Sequence, residues 1–204
     1  AGSYTYNPDV LTEFTASFAA LQRVTQDNNA GRLAASRRFG NWMVFGDVSG
    51  TDDQAKGSGS ASSVGTFYRV PGWEGNMFLS DVTGDFFPRI GFASETDFRS
   101  VSGSVTREVE YESGPITSVE YDMSFHDNVR RDGAHYREGV NIGMDFALTN
   151  LVAFAVGADY EHFEDRHDKV VGFEFDFPRN NPYRRFGIGA SFGQIEDAWY
   201  RSIE

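Results

Sequence analysis

A chain of 204 residues suits one large all-β domain, and its 18 basic against 30 acidic residues, a net charge of −12, exclude a phosphate-backbone partner, which needs clustered Lys and Arg. It contains no cysteine, which excludes a disulfide framework and any thiolate metal site. Phenylalanine (19) and glycine (22) are abundant while mean hydropathy is −0.44, and no apolar run reaches the roughly 18 residues of a spanning helix; a barrel whose alternate residues face lipid and water fits all of this.

The start, Ala1-Gly2-Ser3, shows no basic-then-apolar leader, as expected of a mature exported protein or a trimmed chain. Residues 11–24 carry two periods at once: Phe14, Ala16, Phe18 and Ala20 suit a strand, whereas Leu11, Phe14, Phe18 and Leu21 suit a helix. The stretches 33–39, 42–48, 64–70 and 73–79 each read as a strand. From Val101 the alternation tightens. Val101, Val105, Val109 and Tyr111 oppose Ser102, Ser104, Thr106, Glu108 and Glu110, with Arg107 an exception on the apolar side. Val119, Tyr121, Met123 and Phe125 then oppose Glu120, Asp122, Ser124 and His126, and four further strands keep the same rule over 140–148, 152–161, 171–177 and 186–192.

The connections alternate between short and long, as in outer-membrane barrels with short periplasmic turns and longer outer loops. Short links are expected at Gly40-Asn41, Pro71-Gly72, Glu112 to Pro115, Thr149-Asn150 and Arg179 to Pro182. Longer ones are expected at Gly50 to Ser62, Ser80 to Asp97, Asp127 to Arg137 and Glu164 to Asp168, with Lys56 to Ser63 a flexible Gly/Ser loop. Large aromatics gather where strands meet the short turns: Trp42, Trp73, Tyr111, Tyr121, Phe177 and Tyr183. That is the place of an interfacial girdle.

The stretch Ser80-Asp81-Val82-Thr83-Gly84-Asp85-Phe86-Phe87-Pro88-Arg89-Ile90-Gly91-Phe92, with Thr96-Asp97-Phe98-Arg99 and Ser102-Gly103-Ser104-Val105 after it, resembles the outer-membrane barrel region of domain-of-unknown-function family 5916. Members of that family pair the barrel with an upstream sugar-binding-like domain. The resemblance implies an outer-membrane location more than an activity. Against that pattern the 204 residues are expected to hold barrel only, without the upstream domain, and to be short for the whole barrel.

Candidate chemistry is sparse. His162 and His167 flank Glu164 and Asp165, but at a loop tip they read as a solvated charged turn, and Asp52-Asp53 and Asp127 lack the spacing of a calcium loop, so no metal is assigned. His126 points inward near Ser124 and Asp122, as polar residues of any aqueous lumen do; no Gly-x-Ser-x-Gly elbow is present, and no catalytic residue or cofactor is assigned. The residues expected to act are acidic. Glu108, Glu110, Glu120, Asp122, Asp145, Glu174 and Asp176 project inward near the short-turn end and favour a cationic or polyhydroxylated ligand, with Arg184 a nearby counter-charge and Asp159 and Glu161 toward the other end.

The predicted fold is therefore all-β: an antiparallel, up-and-down transmembrane β-barrel of the outer-membrane type, one domain over residues 1–204. Counting from residue 13 gives about eleven strands, an odd number that makes the chain part of a larger barrel or one completed by another chain. The expected role is non-enzymatic: a porin-like barrel in the outer membrane of a Gram-negative-type envelope, passing, exporting or docking a solute or polymer, with membrane lipid around it. The competing readings are a soluble, secreted β-sandwich that binds carbohydrate and a barrel enzyme acting on lipid or glycan.

Overall fold

The structure, a computed structural model, describes residues 1–23, 26–88, 96–178, 186–196 and 198–203. Among these residues there is no helix. The strands are β1 (Gly2–Asp9), β2 (Thr12–Arg23), β3 (Gln26–Phe39), β4 (Trp42–Asp53), β5 (Gly57–Val70), β6 (Trp73–Val82), β7 (Phe98–Glu110), β8 (Ile116–Arg130), β9 (His135–Leu148), β10 (Ala153–Phe163), β11 (Arg166–Phe177), β12 (Phe186–Ile195) and β13 (Ala198–Ile203). They form one antiparallel 13-stranded sheet whose hydrogen-bonded order follows chain order from β1 to β13, without the Greek-key crossing of a sandwich.

The ambiguous segment is β2: Phe14, Ala16 and Phe18 stand opposite Ala35, Leu33 and Gly31 of β3, so cross-strand pairing decides what local periodicity left open. The eleven expected strands correspond to β2 through β12, and β1 and β13 were not foreseen. Three expected long loops are strand. Ladder pairs run through Asp52↔Ser58 and Asp53↔Gly57, which leaves only Gln54 to Lys56 as turn and places the Gly/Ser run within β5. Likewise β8 and β9 close around Arg131 to Ala134, and β10 and β11 around Glu164-Asp165. Polar side chains on both faces disguised these ends, since they erase alternation without weakening backbone pairing. Only the β6–β7 connection, 83–97, stays long. Of the short links, Gly40-Asn41 is a two-residue hairpin with Phe39↔Trp42 as its last pair; Gly40 takes φ +59°, which only glycine adopts freely. The link expected at Thr149-Asn150 spans Thr149 to Val152, closed by Leu148 N–H to Val152 O at 2.9 Å, and Arg179 to Pro182 lies outside the described residues.

The chain divides into two compact units, one of residues 1–69, 76–102 and 128–134, the other of 70–75, 103–127 and 135–204. In the first, register sets Tyr4, Ala16, Leu33 and Val48 in one row and Tyr6, Phe14, Ala35, Gly46 and Val64 in the next, while Thr5, Thr15, Ala34, Asp47 and Ser63 share the opposite face. The second repeats this. Phe146, Phe154, Phe175 and Ile188 form one row and Met144, Val156, Phe173 and Ala190 another, against Asp145, Ala155, Glu174 and Gly189 on the reverse.

Exposure is inverted relative to a water-soluble sheet. On β4 the apolar-face residues Trp42, Val44 and Val48 are exposed, while Asp47 and Ser49 are half-buried and Thr51 and Asp53 buried. On β11, Val171, Phe173, Phe175 and Phe177 are exposed and Asp176 is buried. Among the described residues the most buried side chains are Asn28 and Asp53.

Candidate functional site: the polar face

In the second unit the polar face is built on small residues. Gly143, Gly157 and Gly172 stand side by side across β9, β10 and β11, continued by Ser191 and Ser202. This floor admits neighbouring side chains: the Asp122 carboxylate lies over Gly143 so closely that a Cβ there would sit 2.2 Å from Asp122 Oδ1. Beside it runs an open groove of about 730 Å³, lined by Asn141, Asp159, Glu174 and Asp176 above Gly157, Gly172, Gly187 and Gly189.

The seven carboxylates expected to act do not converge on one point. Glu174 and Asp176 line the groove, and Asp145 lies in the row of Glu174, separated from it by Ala155. Asp122 reaches the same face from β8 at Gly143. Glu120 is exposed on β8, and Glu108 and Glu110 are exposed near the end of β7; none of the three lines the groove. Asp159, expected toward the other end, shares it with Glu174 and Asp176, because the groove runs along the strands and not around a rim. Asn141 Nδ2 donates to Asp159 Oδ2 at 3.4 Å. Arg184 lies outside the described residues.

His126 faces this side, as expected, but its partners are not Ser124 and Asp122. It lies against Gly139, with Nε2 3.2 Å from Glu161 Oε2, off the line of a hydrogen bond and closed from solvent, while Arg137 Nε donates to Glu161 Oε1. The arrangement holds the Glu161 carboxylate between the Arg137 guanidinium and the His126 imidazole.

In the first unit the polar face carries a folded-back segment. After β6 the chain turns onto β3, β4 and β5: Ser60 N–H donates to Thr83 Oγ1 at 2.8 Å, and Phe87 N–H to Thr51 Oγ1 at 3.1 Å. Asn28 Nδ2 donates to Phe87 O at 2.9 Å and to Asp53 Oδ2 at 3.1 Å. Asp53 is held in turn by the Ala55 and Lys56 amides at 2.9 and 3.0 Å. Gly59 lets the backbone of Asp85 and Phe86 rest on the sheet, since a Cβ there would lie 2.2 Å from Phe86 N. Within the stretch that resembles the family, Asp85 to Pro88 are thus docked on the polar face; residues 89–92 lie outside the described residues.

No protein-family model, characterised protein or solved structure matches the chain.

Of the aromatics expected near the short turns, Trp42, Trp73 and Phe177 are terminal residues of β4, β6 and β11 and Tyr111 directly follows β7, whereas Tyr121 is the sixth residue of β8, further from the turn than expected; all five are exposed, and Tyr183 lies outside the described residues. Trp42 packs on Tyr68 with ring centroids 4.7 Å apart. The exceptional Arg107 lays its guanidinium over Trp73 at 5.0 Å, and Arg37 does the same over Phe39 at 5.1 Å, so these two charges on the apolar face are covered at its turn-side edge.

Sequence reasoning missed two groupings. The Asn28–Thr51–Asp53 network joins polar residues of two strands to a loop that was expected to project outward, and nothing local marks it. The second is a histidine–carboxylate cluster at the far ends of β8 to β11. Its one legible signal is that His162 and His167 become opposite neighbours once Glu164-Asp165 is a tight turn.

Proposed function

We propose that this sheet is wall of an outer-membrane β-barrel, with the apolar face in lipid and the polar face toward an aqueous, acidic lumen that passes, exports or docks a solute without chemistry. The observation that carries the reading is the inverted exposure: apolar side chains stand outward strand after strand while Asn28, Thr51, Asp53 and Asp176 are buried. In water such a face costs roughly 25 cal/mol for each Å² left uncovered, whereas hydrocarbon covers it without a second protein layer.

The dimensions agree. The spans bounded by outward-facing residues, Val140 to Leu148 on β9 and Lys169 to Phe177 on β11, are each nine residues long, and a tilted spanning strand needs about 9–11. Aromatic residues bound the band on the turn side and polar residues, Glu138, His162 and His167, on the other. Resemblance of the Asp85 to Phe92 stretch to a family of outer-membrane barrels implies the same location. In this reading the segment 83–88, docked on the polar face, narrows the lumen, and the groove of Asp159, Glu174 and Asp176 supplies its negative lining. The edge strands β1 and β13, each with one neighbour in the order, take the further strands that close the barrel, from another chain or from more of the same one.

The test is whether the folded chain needs amphiphile. It should remain dispersed only in detergent or bilayer and migrate faster on a detergent gel unheated than boiled. Free monomeric solubility after refolding in plain buffer would exclude the reading and favour the carbohydrate-binding alternative.

A further inference from the structure

All four histidines of the chain lie toward one end of β8 to β11, and they divide between the two faces. His126 is on the polar face with Glu161 and Arg137. The others gather around the opposite side of the sheet end. Glu138, His162 and His167 stand directly opposite one another on β9, β10 and β11, one row beyond Val140 and Tyr160. His135, the first residue of β9, brings its Nδ1 within 3.3 Å of Asp127 Oδ1 and 4.0 Å of Glu138 Oε2. The three donor atoms of Asp127, His135 and Glu138 lie within 4.8 Å of one another.

The geometry points to a divalent transition-metal site, of the zinc class, formed by Asp127, His135 and Glu138. Donors held about 2.0–2.1 Å from a tetrahedral zinc stand roughly 3.3 Å apart, the separation of Asp127 Oδ1 from His135 Nδ1; the 4.0 Å of the second pair closes with a small side-chain rotation at an exposed strand end. One imidazole and two carboxylates leave a fourth position for water or for a donor brought by another molecule, and this borderline nitrogen–oxygen set suits zinc over calcium, which takes six to eight oxygens.

Glu138 is oriented for the task. While Oε2 faces His135, Oε1 lies 3.3 Å from His162 Nδ1, and the His162 ring is stacked on His167 with centroids 4.2 Å apart and planes 9° apart. A carboxylate pinned through its second oxygen loses less freedom when it takes a metal. The polar-face cluster is the poorer competitor, because Arg137 already places a positive charge on Glu161. The site rests on these residues alone and holds whether or not the apolar face meets lipid.

The experiment is titration of the whole folded chain in detergent micelles with zinc chloride by calorimetry, and with cobalt chloride by absorption. One zinc per chain is expected, with tetrahedral cobalt bands. His135→Ala and Glu138→Gln should each weaken binding by more than His162→Ala, whose loss as an orienting partner costs about tenfold, and His126→Ala should leave it unchanged. Glu138→Gln keeps the side-chain shape, so it carries the test if another variant folds poorly by circular dichroism. Absence of zinc binding in the parent chain, binding that survives both His135→Ala and Glu138→Gln, or binding lost only in His126→Ala would overturn the site.

Discussion

Phe173 stands in the middle of β11's outward row, between Val171 and Phe175, with Val156 and Ala190 opposite it on β10 and β12 and 44 % of its surface exposed. If that surface meets acyl chains, Phe173→Arg puts a charge near the bilayer midplane at a cost of about 2–4 kcal/mol. On the opposite face Gly189 is the matched control. A Cβ there meets its nearest atom, Phe173 O, at 3.8 Å, an ordinary contact, and Glu174 stands directly opposite, so Gly189→Arg enters open space beside a carboxylate. Gly187→Arg should fall between, because its Cβ would come within 2.8 Å of Asp176 Oδ1 and push that buried carboxylate aside. Equilibrium unfolding by urea in lipid vesicles, followed by gel mobility, measures all three. An apolar protein core would also resist Phe173→Arg, so the discriminating variant is Phe173→Trp: its fluorescence should be quenched by bromine on lipid acyl chains. Equal stability of Phe173→Arg and Gly189→Arg, or a tryptophan at 173 that brominated lipid leaves unquenched, would refute the assignment of faces.

Removing the Asn28 side chain takes one hydrogen bond from a carbonyl and one from a carboxylate within a buried network, so Asn28→Ala should cost about 2–4 kcal/mol and open the 83–88 segment to limited proteolysis; parental protease resistance would show that the segment is held otherwise. Asp9 accepts from the Leu11 amide at 2.7 Å and from Thr12 Oγ1 at 3.1 Å, chiefly the former lowering its pKa. Its small contribution to the β1–β2 turn is therefore present above the usual aspartate range and lost as pH falls through the lowered value, and a carboxyl titration by NMR at or above the ordinary pKa would contradict this. Reconstituted in a planar bilayer, an open form should prefer potassium over chloride, and Glu174→Gln with Asp176→Asn should reduce that preference; chloride preference would reject the acidic lumen.

Much of the fold was legible because a sheet with one apolar and one polar face writes its structure in period two. Val171-Gly172-Phe173-Glu174-Phe175-Asp176-Phe177 admits one reading, and β11 follows it residue for residue. The strand ends were not legible, for the opposite reason. At Asp52-Asp53 and Lys56 to Ser63 both faces are polar, so no hydropathy contrast reports the pairing, although the ladder from Asn28↔Asp53 to Asp53↔Gly57 continues unbroken. The site was legible as a face but not as a place. Parity alone put Asp145, Glu174 and Asp176 on one side; which carboxylates share a groove depends on register across three strands, and that moved Asp159 in and left Glu108, Glu110 and Glu120 out. His135 falls in a stretch that the sequence reads as loop, where a histidine has no neighbours that spacing can name.

These particulars bear on how such a sheet is held together. Val119 and Ala147 are the buried apolar residues among those described, so the usual contribution of a hydrophobic core is small here. Stability must come from backbone ladders and from side chains that close against the polar face. Phe45 and Phe78 meet over Gly65 with ring centroids 5.4 Å apart and planes tilted by 60°, the 83–88 segment rests on Gly59, and Asp122 rests on Gly143. In each case a glycine removes the side chain that would keep the neighbour away. Water weakens a ladder by competing for its N–H and C=O groups, whereas hydrocarbon offers them no other partner, so under the proposed reading a sheet built this way would gain cohesion with its apolar face in lipid.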